Sequence, residues 1–266
     1  MRVVVKVGTS TVHAGDTALA DLADQIVALV GSGHAVALFS SGAVHAGREA
    51  FGPSLDAQAA AALGQPLVFE AWRRAFANVG LVAGQVLVDD RDLEPGGGAA
   101  PVVEALWRAG AVPVLNGNDA IDAGRAPVSD NDAMAAQLAL HLQADRLVLL
   151  TDQDGICTAD PRLDPSAKPI RRISTGDLAA LVPAMSQAAA GPQGRGGMAS
   201  KARAALKAAR GGVRATIAHG REPRVVARVI GGEGVGTTVD SLTMHPAARP
   251  SPVRRGVREA VAYGAD

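Results

Sequence analysis

One cysteine, Cys157, stands in a chain of 266 residues. A disulfide framework and a cysteine-based zinc site are therefore excluded, and this usage fits a reducing cytoplasm. An excess of charge is equally lacking, since 26 Lys+Arg balance 26 Asp+Glu. Nothing in that balance draws the chain to nucleic acid or to an anionic membrane, so small molecules are the expected partners. No apolar run reaches the ~18 residues of a spanning helix, and the opening Met1-Arg2-Val3-Val4-Val5-Lys6 enters a strand without a signal-peptide layout. The expectation is a cytoplasmic protein.

Several catalytic signatures are missing too. No G-x-x-x-x-G-K-[ST] loop occurs, and no G-x-G-x-x-G follows a strand with a partnering acid, so neither the P-loop nor the dinucleotide fingerprint is available. The absence of a G-x-S-x-G elbow argues against a hydrolase. The six histidines are scattered with no H-x-x-x-H or nucleophile–base spacing, which reads them as structural or surface residues; His45 lies nearest a candidate site loop.

Lysine is scarce as well. Only Lys6, Lys168, Lys201 and Lys207 occur among 26 basic residues. An ammonium is a compact point charge that the planar guanidinium cannot replace between phosphate oxygens, so in an arginine-rich chain each lysine is informative. Lys168, beside Pro169, reads as a solvated charge; Lys6 and Lys201 lie in more suggestive places.

What is present is an alternation of short aliphatic runs with helical patterns. Strands are expected at Val3–Val5, Ala35–Phe39, Leu81–Val88, Ala111–Leu115, Arg146–Leu150 and Val213–Ala218. Helical spacing covers Leu19 to Val30, Ala57–Asn78, Val102–Arg108, Met134–Leu142 and Ala199–Arg210. Continuously apolar strands separated by helices predict an α/β fold with a mostly parallel sheet covered on both faces. Pro95–Pro101 and Gly191–Gly197 read as loops inside one domain, and the stretch from Pro246 has little core-forming character.

In such sheets ligands bind beyond the carboxyl ends of the strands. Four strand ends carry polar or small residues: Lys6-Val7-Gly8-Thr9-Ser10, Ser40-Ser41-Gly42-Ala43, Asn116-Gly117-Asn118-Asp119 and Thr151-Asp152-Gln153-Asp154-Gly155. Each alone is ordinary turn and cap chemistry. Together they predict one polar site. Gly8 would let backbone N–H groups approach an anion, and Gly194-Arg195-Gly196-Gly197-Met198-Ala199-Ser200-Lys201 opens a helix whose N-terminus suits a polyphosphate. Lysines on opposite sides of a transferring phosphoryl group would supply its charge stabilisation. Between them, Ser129-Asp130-Asn131-Asp132 offers a helix cap, a carboxylate to orient the two lysines and an amide for substrate.

These ordered motifs resemble the amino acid kinase superfamily and, within it, the glutamate 5-kinases. The likeness runs through V-V-K-V-G-T-S, S-S-G-A-V-H-A-G-R-E, A-A-L-G-Q, V-P-V-L-N-G-N-D-A, S-D-N-D, A-D-R-L-V-L-L-T-D-Q-D-G-I-C-T-A-D-P-R and G-R-G-G-M-A-S-K. It implies a three-layer α/β/α sandwich with a mostly parallel central sheet. It implies ATP-dependent phosphorylation of the side-chain carboxylate of L-glutamate to L-glutamyl 5-phosphate, the first step of proline biosynthesis. Catalysis would fall to Lys6, Lys201 and Asp132. ATP would be held by Lys6, Gly8, Thr151, Asp152, Arg195, Gly196, Gly197, Met198, Ala199, Ser200 and Lys201, with Mg2+ carried by its phosphates rather than by protein ligands. Ser41, Gly42, Asn116, Asp119 and Asn131 would hold the amino acid. The kinase domain would span 1–245 and a tail 246–266, without the family's common RNA-binding-like domain, and a homodimer or homotetramer is implied.

The sequence departs from the family pattern where Gly117 replaces the Glu of Asn-Glu-Asn-Asp, and where the 95–101 stretch is short and featureless. Both leave open an alternative acceptor, another small carboxylate or amino-acid derivative. A non-catalytic binding protein of the same fold is the reading that two converging lysines disfavour.

Overall fold

The computed structural model describes residues 1–121, 130–159, 164–188 and 197–241. In chain order the elements are β1 (Arg2–Val7), α1 (Thr9–Val12), α2 (Asp16–Gly31), β2 (Ala35–Phe39), α3 (Ala43–Phe51), α4 (Ala57–Asn78), β3 (Val82–Val88), α5 (Ala99–Arg108), β4 (Ala111–Gly117), α6 (Asn131–His141), β5 (Arg146–Thr151), β6 (Arg172–Ile173), α7 (Thr175–Ala188), α8 (Met198–Arg210), β7 (Arg214–His219), α9 (Val225–Ile230) and β8 (Thr237–Val239). A 3-10 turn at Arg91–Leu93 precedes α5.

The strands form one sheet in the order β3-β4-β2-β1-β5-β7-β8-β6. Pairing is parallel from β3 through β7, and β8 runs antiparallel to β7. Because β1 and β2 go one way across the sheet and β5 lies on β1's other side, the chain reverses direction around β1, which opens a crevice at that strand's carboxyl end.

Alternation along the central strands sorts the two cores. Val3, Val5 and Val7 of β1, with Val36 and Leu38 of β2 and Val148 and Leu150 of β5, pack beneath α2, α4 and α9. Val4, Phe39, Leu147 and Leu149 face the other way, against α5, α6 and α8. Both faces are thus apolar, as continuous hydrophobic strands require, and the expected three-layer α/β/α sandwich is what forms. The two tryptophans anchor opposite faces with their indole N–H groups satisfied: Trp72 Nε1 donates to Ser40 Oγ at 2.9 Å, and Trp107 Nε1 to the Val36 carbonyl at 2.8 Å.

Helix α5 starts at Ala99, so residues 99–101 are its first turn rather than loop. Pro101 sits where its missing N–H would have no intrahelical partner. Helix α3 was not expected, because its buried residues are Ala43, Ala46 and Gly47, too small to mark a hydrophobic stripe. They are small because α3 and α4 touch backbone to backbone. A Cβ on Gly47 would come within 1.9 Å of the Ala60 carbonyl oxygen, and one on Gly64 within 1.9 Å of that of Ala43. Among the described residues no helix is long and apolar enough to cross a membrane.

Candidate active site

Lys6 is the last residue of β1 on the α6/α8 face, in register with Phe39 on β2 and Leu149 on β5. Its ammonium lies 2.8 Å from Asp132 Oδ1 as an ionic contact. Lys201 Nζ, from the first turn of α8, donates to the other oxygen, Oδ2, at 3.1 Å. All three are buried: Lys6, Asp132 and Lys201 are 5%, 3% and 8% exposed. Burial pushes the Lys6 ammonium below its ordinary pKa; Asp132 opposes that shift and Lys201 adds to it. One buried carboxylate is thus shared by two buried ammoniums, with the Asp130 carboxylate close enough to act on Lys6 as well, a charged arrangement able to take up an anion.

Asp132 is placed by its own helix. Asp130 caps α6, accepting from the backbone N–H groups of Asp132 at 3.1 Å and Ala133 at 3.3 Å. Its other oxygen accepts from Ser200 Oγ at 2.5 Å, which ties the first turn of α6 to that of α8. The N-cap of α8 is Gly197, and among the described residues no side chain caps the leading N–H groups of that helix.

Beside the charged cluster lies an amide pocket. Asn131 Nδ2 donates to Ser41 Oγ at 3.1 Å and to Asn116 Oδ1 at 3.0 Å. Asn116 in turn donates to Gln65 Oε1 at 2.6 Å. Among the described residues Asn131 Oδ1 is buried without a hydrogen-bond partner, an acceptor that calls for a donor such as an ammonium. Ser41 sits on the loop held from below by Trp72 through Ser40. Gly42, with φ +99°, turns that loop into α3 in a conformation that favours glycine.

The structure thus brings Lys6, Lys201 and Asp132 together, and likewise Ser41, Asn116 and Asn131. Gly8 follows directly, where a Cβ would lie 3.2 Å from the Leu150 carbonyl oxygen and 3.9 Å from Lys6 Nζ. Thr151 closes β5 and donates to Asp152 Oδ1 at 3.2 Å. Asp119 lies just past the end of β4. Arg195 and Gly196 lie outside the described residues, as does the 246–266 tail. Asp130, read from the sequence only as part of a helix cap, and Gln65, read only as the end of A-A-L-G-Q, are site-building residues whose roles the sequence did not assign. A capping aspartate looks alike in any helix, and a mid-helix glutamine such as Gln65 carries no spacing that links it to Asn116.

The model of the Amino acid kinase family matches residues 1–219. The chain belongs to the amino acid kinase family. Among its relatives, the glutamate 5-kinase of Shewanella sediminis is 40% identical over 255 residues, covering 91% of this chain and 68% of that one. The glutamate 5-kinase of Burkholderia multivorans is 38% identical over 265 residues, covering 93% and 70%. In fold the chain is similar to carbamate kinase from Giardia lamblia bound to AMP-PNP, with a TM-score of 0.66 at 17% identity, covering 90% of this chain and 98% of that one. It is also similar to UMP kinase from Bacillus anthracis, with a TM-score of 0.62 at 18% identity, covering 91% and 96%. Family membership thus rests on the sequence relatives, and the solved structures agree on the fold.

Proposed function

We propose that the chain is an ATP-dependent kinase that phosphorylates the side-chain carboxylate of L-glutamate, giving L-glutamyl 5-phosphate for proline biosynthesis. The observation that carries this reading is the Lys6–Asp132–Lys201 cluster beside the Asn131 amide pocket, in a chain whose sequence relatives are glutamate 5-kinases. Asn131 Oδ1 and the groups around it, with Ser41, Gly42, Asn116 and Asp119, would hold the amino acid. Thr151, Asp152 and the 195–201 segment would hold the nucleotide, and Gly8 would keep β1's end open to the phosphates.

A carboxylate is ionised at neutral pH, so it needs no general base. One of its oxygens attacks the γ-phosphorus in line, the bond from that phosphorus to the β,γ-bridging oxygen breaks, and ADP leaves. Lys6 and Lys201 balance the charge on the transferring group, while Asp132 fixes their separation. Mg2+ fits this donor set only as a companion of the nucleotide, since the buried carboxylate of the site is already committed to two ammoniums; it would neutralise phosphate charge there. We read residues 1–245 as the kinase domain, its partners as ATP and an amino acid rather than nucleic acid or membrane, its place as the cytoplasm and its assembly as a homodimer or homotetramer, which light scattering would check.

The test is ATP turnover with glutamate, N-acetylglutamate and aspartate in parallel, trapping acyl phosphate with hydroxylamine. Glutamyl hydroxamate is expected. Turnover with no hydroxamate would remove the carboxylate as acceptor, and preference for another acid would point to Gly117 as the altered pocket wall.

A further inference from the structure

On the outer side of the Ser41–Gly42 loop, three side chains with no part in phosphoryl transfer converge. His13 caps the C-terminus of α1, and His45 and Glu49 lie one turn apart on α3. His13 Nδ1 is 3.7 Å from Glu49 Oε2, and His45 Nε2 is 3.8 Å from the same oxygen. The imidazole rings meet edge to face with centroids 4.2 Å apart. The three potential ligand atoms all lie within 4.8 Å of one another.

The tautomer of His13 makes this arrangement unusual. Its Nε2 is 3.2 Å from the Gly42 carbonyl oxygen, which can only accept, so Nε2 carries the proton. In the neutral ring Nδ1 is then a lone pair facing a carboxylate oxygen, and His45 brings a second nitrogen, the third potential ligand atom, to the same point. Burial holds the His13 pKa below its ordinary value, which favours that neutral form. Converging acceptors of this kind are completed by a cation.

We propose that His13 Nδ1, His45 Nε2 and Glu49 form a binding site for a divalent transition ion of the Zn2+ type, distinct from the nucleotide's Mg2+. Two imidazoles and one carboxylate are a common zinc donor set, and hard-oxygen ions such as Mg2+ are poorly served by it. Tetrahedral ligands at ~2.05 Å from the metal stand about 3.4 Å apart, so the 3.7 and 3.8 Å gaps close by a few tenths of an ångström and the two imidazoles, whose ligand atoms lie within 4.8 Å, by a larger movement that the exposed His45 and Glu49 side chains can supply. His45 and Glu49 share one helix face at i,i+4, and the Gly42 carbonyl orients His13 through its other nitrogen, as metal-bound histidines require. Three protein ligands leave a fourth position for water. Bound there, the ion would join α1 to α3 across the loop that carries Ser41.

The experiment is titration of the full chain with Zn2+ by calorimetry in Mg2+-containing buffer, alongside His45→Ala, Glu49→Ala and the control His141→Ala. Because the His45 and Glu49 side chains are 58% and 69% exposed, neither substitution threatens folding, and Tm without Zn2+ is expected to be unchanged. One equivalent should bind the parent chain and raise its Tm, the control should match it, and each of the other two variants should lose at least tenfold in affinity together with the Tm response. Absence of stoichiometric binding to the parent chain, or binding that survives both substitutions undiminished, overturns the proposal.

Discussion

Ser200 and Asp130 share a short hydrogen bond, 2.5 Å from Oγ to Oδ2, across 70 residues of sequence. With the Lys201–Asp132 contact and the packing of the two helices, it helps set α8 against α6. Ser200→Ala removes this link while leaving Asp130 its two backbone donors, so the cap of α6 survives. The expected cost is about 1.5–3 kcal/mol of stability, as for a hydrogen bond to a charged group. In steady-state kinetics kcat should fall about tenfold, since a misplaced lysine costs transition-state stabilisation even when it still binds phosphate. Unchanged kcat would show that Lys201 is positioned without Ser200.

The charge cluster makes two substitutions differ in sign. Lys6→Met should lower kcat on the order of 10²–10³-fold. It leaves Asp132 paired one-to-one with Lys201, so thermal denaturation should show a Tm equal to or above the parent's. Asp132→Asn instead leaves two buried ammoniums facing each other, and Tm should drop, by about 3 kcal/mol of stability or more. The pH dependence follows from the depressed Lys6 pKa. Between its folded value and 10.5 the unfolded chain holds a proton the folded one has released, so stability rises with pH there. The cost of Lys6 is therefore complete below its folded pKa and relieved as pH climbs toward 10.5. In chemical denaturation, the advantage of Lys6→Met over the parent should shrink across that window.

Gly64→Ala tests the backbone contact between α3 and α4. Its Cβ would meet the Ala43 carbonyl oxygen and, at 2.4 Å, the Gly47 nitrogen, neither of which can rotate away. Destabilisation of about 3 kcal/mol is expected, at the upper end for overpacking. Because α3 leads directly from Ser41–Gly42, KM for the amino acid should rise more than KM for ATP.

Thr237 is fully buried, accepts from the Ile156 N–H at 2.8 Å and donates to the Ile170 carbonyl at 2.5 Å. It clamps the segment after β5 to β8. Thr237→Val preserves shape but orphans a buried donor and a buried acceptor, so a loss of about 2–4 kcal/mol is expected in urea denaturation. Thr237→Ser should retain most of that stability.

The central sheet was legible because Val3–Val5, Ala35–Phe39 and Leu147–Leu150 are apolar on both faces, and helical patterns separate them. Lys6, Lys201 and Asp132 were legible because lysine is so scarce and because each stands next to a strand end or helix start. Helix α3 was hidden by its small residues, and β6 and β8, of two and three residues, are too short to show a period. The His13–His45 contact had no signal at all. Histidines 32 positions apart meet only because Gly42, whose Cβ would lie 2.7 Å from His13 Nε2, lets the loop pass so closely.

The span of the charged cluster also has a consequence for how the enzyme comes into being. Its members come from β1, α6 and α8, so a chain emerging from the ribosome carries Lys6 some 195 residues before Lys201 and cannot close the cluster until Lys201 has appeared. Until then the strand that holds Lys6 lacks the helix that pairs Lys201 with Asp132, and on the proposed function catalytic competence arrives in one late event rather than by degrees. Activity recovered during refolding should lag the burial of Trp72, whose partner Ser40 lies only 32 residues away.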